Sequence, residues 1–117
     1  MQNLLFGDDS FDIIWMQNAL DHTVFPKTVL MNMVSILRKD GFIIIIGFEN
    51  EGQFANYNGL HVHDLFLLEN KLMCKSFNTS TKNVLSLSEG LSLDVVESAK
   101  FLDHNNRDIF HICYRKI

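Results

Sequence analysis

The chain has 117 residues, of which 47% are hydrophobic and 21% are charged, and its formal net charge is −4. This length and composition are those of one globular domain, so residues 1–117 are expected to form a single domain. The acidic balance comes without a basic cluster, which argues against a nucleic-acid or membrane surface. Two distant cysteines and the lack of a membrane-length apolar run favour reduced thiols and a cytoplasmic location.

The first half of the sequence predicts a strand, a helix and a second strand. Residues 11–16 form a short apolar run rich in β-forming residues and should end near Asn18. Pro26 suits a first helical position, and apolar residues then recur at helical spacing over residues 26–39. Asp40-Gly41 supplies a left-handed exit, and residues 42–47 predict the next strand. Apolar strands separated by one helix indicate a βαβ unit with parallel strands, and hence an α/β fold.

The second half predicts antiparallel strands. Residues 63–68 and 72–77 are expected to form a β-hairpin joined by Glu69-Asn70-Lys71. A short helix or turn is expected over residues 83–90. The chain then returns to two strands, residues 93–101 and 109–115, linked by a turn-rich segment.

Two segments resemble class I S-adenosylmethionine-dependent methyltransferases. Asp9-Ser10-Phe11-Asp12-Ile13-Ile14-Trp15, followed by Asn18-Ala19-Leu20-Asp21-His22, is similar to that family's fourth strand and the loop after it. Ile36-Leu37-Arg38-Lys39-Asp40-Gly41-Phe42 is similar to the turn that precedes its fifth strand. The resemblance covers residues 1 to about 50 and implies a partial Rossmann-like methyltransferase sheet, from the fourth strand onward, with an antiparallel C-terminal hairpin.

The resemblance also implies a cofactor, S-adenosylmethionine, and a small-molecule methyl acceptor. In that family the loop after the fourth strand runs beneath the methionine part of the cofactor and toward the acceptor. The corresponding cofactor-binding residues are Asn18, Ala19, Leu20 and His22. The loop after the fifth strand is expected to bind the acceptor, through Glu49, Asn50 and His61. A general base would come from Glu49, Glu51, His61 or His63, and no catalytic residue is assigned.

The chain departs from the family at the cofactor loop. It contains neither a G-x-G motif nor the acidic residue that holds the cofactor ribose, so we expect the sequence to begin just before the fourth strand. Two hypotheses remain open. The chain is the C-terminal part of a small-molecule methyltransferase, or it is a non-catalytic remnant or assembly subunit.

Two local patterns have simpler alternative interpretations. Asn18 and Asp21 are also residues that cap a turn and a following helix. His61-Val62-His63 places two imidazoles on one strand face, where Asp64 or Glu49 would complete a metal site. We favour two surface histidines and no metal, since no third ligand is clear.

The predicted strand at residues 11–16 raises a question of assembly. In the resembling fold the first strand pairs with the fourth, and helices of the first half cover one face of the fourth and fifth strands. Here this would leave an apolar edge unpaired and one face of residues 42–46 uncovered. The helix covers one face, and the hairpin at residues 63–77 is a candidate to cover the other. We therefore expect a homodimer or a higher homo-oligomer.

Overall fold

The described residues form one helix and seven strands, which are arranged in two sheets. The computed structural model describes residues 10–20, 25–50, 63–76 and 85–117. A four-stranded larger sheet has the order β1-β2-β7-β6, and a three-stranded smaller sheet has the order β3-β4-β5. The elements are β1 Phe11–Gln17, α1 Pro26–Ile36, β2 Leu37–Phe48, β3 His63–Leu68, β4 Lys71–Ser76, β5 Leu85–Ser86, β6 Leu93–Leu102 and β7 Asp108–Lys116.

The predicted βαβ unit and the predicted C-terminal antiparallel pair are confirmed. β1 lies parallel to β2, with Ile14 beside Ile43 and Met16 beside Ile45. β7 then pairs antiparallel with β2, and β6 pairs antiparallel with β7. The isoleucine run therefore lies at the centre of the larger sheet, and the mixed α/β class follows.

Helix α1 is shorter than its apolar pattern predicts. It ends at Ile36, and Leu37 is already extended at ψ 136° as the first residue of β2. The helix expected over residues 26–39 is therefore three residues too long, and Arg38 and Lys39 lie in β2 instead. The side chain of Lys116 lies at the helix end, where its ammonium group donates to the Val34 and Leu37 carbonyls at 2.8 Å each.

The entrance to β2 contains an irregularity that brings two backbones close together. The pairing of β1 with β2 shifts register between Phe11 and Ile13. Asp40 takes the predicted left-handed conformation, with φ at 65°. A Cβ on Gly41 would lie 2.7 Å from the Asp12 carbonyl oxygen, so only glycine fits here without a backbone shift.

One face of the larger sheet, here called the covered face, is packed against both α1 and the smaller sheet. On β7 it carries Ile112 and Tyr114, which are fully buried. The hydrophobic core joins this face to α1 and to the hairpin of β3 and β4. The hairpin was a candidate to cover the opposite face, and this prediction is wrong. Its buried contributions to the core are Leu65, Leu67, Leu72 and Cys74.

The opposite face of the larger sheet, here called the second face, is apolar and partly exposed. Ile13 and Trp15 of β1 are 58% and 60% exposed. Ile44 and Ile46 of β2 share that face and are half-buried. In a strand, alternate residues point to opposite faces, so this face follows from the same continuous apolar runs that fill the core.

The hairpin is confirmed with a tighter turn than predicted. Glu69 and Asn70 both have positive φ, at 51° and 62°, so the turn has two central residues and Lys71 begins β4. Residues 85–86 form the short strand β5, which is followed by a turn at residues 87–90. The described part of the segment 83–90 therefore contains a turn but no helix.

Candidate functional site

The carboxyl ends of β1 and β2 lie side by side at one edge of the larger sheet. Gln17 pairs with Ile46, and the Asn18 N–H donates to the Ile46 carbonyl at 2.9 Å. Asn18 has a left-handed φ of 53°, so the chain turns away sharply as β1 ends. In open α/β sheets, ligands bind at the carboxyl ends of parallel strands. This edge is therefore the candidate site.

Gly47 and Phe110 are buried side by side next to Asn18. They face each other across β2 and β7, and a Cβ on Gly47 would lie 3.2 Å from two ring carbons of Phe110. The same Cβ would lie 3.8 Å from the Asn18 side-chain oxygen. Sequence reasoning missed both residues. The available signal was the glycine that interrupts an otherwise apolar strand, since such a glycine marks close approach.

The predicted cofactor-binding residues differ in burial. Asn18 is exposed, Ala19 is partly buried against the core, and Leu20 is 2% exposed. The Leu20 side chain therefore anchors the loop, while Asn18 offers its amide to solvent at the sheet edge. His22 lies outside the described residues, and the cofactor role of all four residues stays a prediction.

Glu49 connects three parts of the fold. It is 8% exposed, and its Oε1 atom lies 3.0 Å from the Lys100 ammonium group in an ion pair. The same oxygen accepts the Leu67 N–H at 3.1 Å. The Glu49 N–H donates to the Asp108 carbonyl at 2.9 Å. The carboxylate thus ties the end of β2 to β3 and β6.

Of the other predicted acceptor-binding residues, the structure describes Asn50. Asn50 is exposed, and its N–H donates to the Leu65 carbonyl at 3.0 Å. His61 and Glu51 lie outside the described residues. Sequence reasoning singled out Glu49 but missed Lys100, because the two are 51 positions apart. The acceptor-binding and general-base roles of this loop stay predictions.

His63 is not the surface histidine that the sequence suggested. It is 6% exposed, and its Nδ1 atom lies 4.0 Å from the Cys74 sulfur atom. Within the described ranges, no group of three or more His, Cys, Asp or Glu side chains could hold a metal ion. Cys74 is buried and Cys113 is partly buried, and neither forms a disulfide bond with a described residue. No helix in this same part of the chain is long and apolar enough to cross a membrane.

Burial perturbs two titratable groups on the last strand. It raises the pKa of the Tyr114 hydroxyl above its ordinary value of 10.0. Ser88 and the Leu72 backbone lie near enough to oppose part of that rise. The hydroxyl forms no hydrogen bond of normal geometry with any described residue. Burial raises the pKa of the Cys113 thiol, and the negative charge of Glu97 raises it further.

The fold and part of the sequence are similar to known methyltransferases. Residues 1–45 match the family model described as a methyltransferase domain. The structure of an S-adenosylmethionine-dependent methyltransferase from Methanosarcina mazei matches 99% of this chain at 13% identity, with a TM-score of 0.62. A putative methyltransferase from Bacillus halodurans matches 98% at 11% identity, with a TM-score of 0.66. No curated protein matches the chain.

A third structure carries a product of the cofactor. It is the Burkholderia thailandensis 1,6-didemethyltoxoflavin-N1-methyltransferase with bound 1,6-didemethyltoxoflavin and S-adenosylhomocysteine, and it matches 96% of this chain at 18% identity, with a TM-score of 0.60. This chain spans 64%, 74% and 46% of the Methanosarcina, Bacillus and Burkholderia chains. The resemblance is thus confirmed: residues 1–45 match the methyltransferase domain, and the chain has the fold of part of an S-adenosylmethionine-dependent methyltransferase.

Proposed function

We propose that this chain is the C-terminal part of an S-adenosylmethionine-dependent methyltransferase that acts on a small molecule. The observation that carries the proposal is the edge where β1 and β2 end together. There the left-handed turn at Asn18 presents an exposed amide beside Gly47. Parallel strands that end side by side are the ligand-binding edge of this type of sheet. The matched Burkholderia enzyme contains S-adenosylhomocysteine, which supports the cofactor class.

Methyl transfer from a sulfonium needs accurate placement more than acid–base help. Holding the acceptor in line with the methyl group supplies much of the rate acceleration. Rigid packing beneath the site serves this purpose. Phe110 is 1% exposed and packs against Gly47 there. The ion pair between the buried Glu49 carboxylate and the half-exposed Lys100 holds the start of the next loop. We assign Glu49 a positioning role in this proposal.

A second hypothesis is a non-catalytic methyltransferase-like subunit. The 117 residues contain no G-x-G motif to hold the cofactor's amino-acid part. The exposed apolar side chains of Ile13 and Trp15 favour association with another polypeptide. Both hypotheses predict that this chain alone binds S-adenosylmethionine more weakly than millimolar.

Amide NMR during a titration with S-adenosylmethionine into the millimolar range separates the two hypotheses. The methyltransferase proposal expects small, concentration-dependent shifts at Asn18, Ala19, Leu20 and Gly47. These shifts should be lost in Asn18→Ala and kept in the control Lys39→Ala, which changes an exposed residue near the opposite end of β2. Shifts scattered over the surface, or none at the edge, would favour the non-catalytic subunit.

In an active form of the protein that contains this chain, Asn18→Ala and His22→Ala should lower methyl transfer. We expect the melting temperature to stay nearly unchanged, because the Asn18 side chain is exposed. A large fall in melting temperature with unaltered turnover would show that the loop is structural and would refute its cofactor role.

A further inference from the structure

The start of the loop that follows β2 is attached to strand β3 through a side chain. The Asn50 N–H donates to the Leu65 carbonyl at 3.0 Å, as a neighbouring strand would. Two residues further along β3, the Leu67 N–H donates to the Glu49 carboxylate at 3.1 Å. A side-chain oxygen therefore takes the place of a backbone carbonyl in this pairing.

The position of that carboxylate depends on a charge from another strand. The Glu49 side chain is 4% exposed, so its negative charge is largely removed from water. A buried carboxylate needs a positive partner and hydrogen bonds to compensate for the lost hydration. Lys100 of β6 supplies the positive charge at 3.0 Å. Without this ammonium group, the carboxylate would be more stable in water, away from the Leu67 N–H.

Lys100 is itself held in line with the candidate site. It pairs directly with Phe110 across β6 and β7. Directly paired residues of antiparallel strands lie on the same face of the sheet, with Cα atoms about 4.5–5.5 Å apart. The Phe110 ring packs against Gly47 at the candidate site. One pair of residues on the larger sheet therefore contacts both the candidate site and the start of the loop.

We propose that Lys100 is a positioning residue, which acts through Glu49 to fix the start of the loop after β2 relative to the edge where β1 and β2 end. This inference rests on the function proposed above, because that function assigns the acceptor to this loop. In methyl transfer the acceptor must lie in line with the methyl group, and small displacements lower the rate. A lysine that lies two strands away from β2 thereby controls placement at the site.

The alternative is that the ion pair stabilises the whole fold and does not determine the course of the loop. The two alternatives differ at three neighbouring amides. The Leu67 N–H binds the carboxylate, and the Asn50 N–H binds β3 next to it. The Glu49 N–H instead donates to the Asp108 carbonyl, where β2 and β7 are paired. Loss of the Lys100 charge should therefore loosen the first two amides and leave the third in place.

Amide hydrogen exchange followed by NMR tests the proposal. Lys100→Met should raise the exchange rates of the Leu67 and Asn50 amides by roughly tenfold or more relative to that of Glu49, because a hydrogen bond to a charged group is lost. Lys100→Arg keeps the charge and should restore slow exchange. Lys39→Met, which changes an exposed lysine of β2, is the matched control and should leave all three rates unchanged. Unchanged rates in Lys100→Met, or an equal rise at all three amides, would overturn the proposal.

A second comparison keeps the test decisive if Lys100→Met does not fold. Glu49→Gln removes the buried charge, while its amide oxygen can still accept the Leu67 N–H. In this background, Lys100→Met should change the exchange of neither Leu67 nor Asn50, because the partner charge is already gone. A further rise in either rate would show that Lys100 does not act through Glu49.

The same variants separate this inference from the proposed function. Hydrogen exchange requires neither cofactor nor acceptor, so a negative result there overturns the role of Lys100 and leaves the proposed function standing. If Leu67 and Asn50 loosen but S-adenosylmethionine shifts no amide at Asn18, the link through Glu49 holds and the methyltransferase function is refuted. Where the unmodified chain shows those shifts, Lys100→Met should keep them. Their loss in Lys100→Met would mean that it disturbs the cofactor edge itself, which overturns the proposal.

Discussion

The ion pair between Glu49 and Lys100 predicts an asymmetric response to substitution. The Glu49 side chain is 4% exposed, whereas that of Lys100 is 49% exposed. Lys100→Met leaves a buried carboxylate with the Leu67 N–H as its remaining described partner. Glu49→Gln leaves an ammonium group that can turn into solvent, while the amide oxygen still accepts the Leu67 N–H. The lysine substitution should therefore be the more destabilising of the two.

The magnitudes follow from the burial of each group. Removing one partner of a fully buried pair costs about 3–5 kcal/mol, and an exposed pair contributes about 0–1 kcal/mol. For this half-exposed pair we expect Lys100→Met to lower the free energy of unfolding by about 2–3 kcal/mol. Glu49→Gln should lower it by about 1 kcal/mol. The double variant should lose less than the sum, because the stranded carboxylate is gone.

Urea denaturation followed by circular dichroism measures these differences. The unfolding midpoint should shift while the slope with urea stays constant, since the surface exposed on unfolding is nearly unchanged. Lys39→Met, an exposed lysine of β2, is the matched control and should stay within about 0.5 kcal/mol. If Glu49→Gln costs as much as Lys100→Met, the carboxylate is not the desolvated partner and the reasoning is wrong.

Two further predictions concern close packing and the buried phenol. Gly41→Ala should lower the free energy of unfolding in urea by about 3 kcal/mol, because the new Cβ meets backbone oxygens. Gly47→Ala should lower it by about 1 kcal/mol, because its new Cβ meets the Phe110 ring. The reverse order of the two losses would contradict this packing. Tyr114→Phe should raise stability by about 1 kcal/mol, since it removes a buried hydroxyl that forms no hydrogen bond with a described residue. The pKa of Tyr114 is raised in the folded state, so the unfolded chain releases the phenol proton at a lower pH. Wild-type stability should therefore fall more steeply above pH 10.0 than the stability of the variant. Parallel profiles of stability against pH would refute this.

The sequence predicts the strands of this fold well because their signals are local. The apolar run before Asn18, the isoleucines of β2 and the two C-terminal strands each carry a period or composition that belongs to one element. The turn at Glu69-Asn70 is also local, since it depends on two residues that tolerate positive φ. The ends of β1, β6 and β7 were predicted to within one residue, whereas β2 begins five residues before its predicted start.

The predictions from sequence fail where residues that are far apart in the sequence determine the local structure. The helical stripe continues to Leu37, but α1 ends at Ile36, and the side chain that donates to the carbonyls at its end comes from position 116. Nothing in the hairpin pattern tells which face of the sheet it covers, since its apolar face would fit either one. At the candidate site, Asn18 was predicted from a motif, whereas Phe110 becomes a neighbour only through the pairing of β2 with β7.

The separation of β2 and β7 along the sequence has a consequence for synthesis on the ribosome. Strand β2 receives one neighbour from the preceding segment, but its other neighbour begins 60 positions after Phe48, at Asp108. At about 5–20 residues per second, that interval lasts roughly 3–12 s. During this interval, the nascent chain exposes an isoleucine-rich strand with one unpaired edge. Holdase chaperones protect surfaces of this kind from aggregation. Lys116 lies in β7, so its contacts with the Val34 and Leu37 carbonyls form only after β7 has left the ribosome.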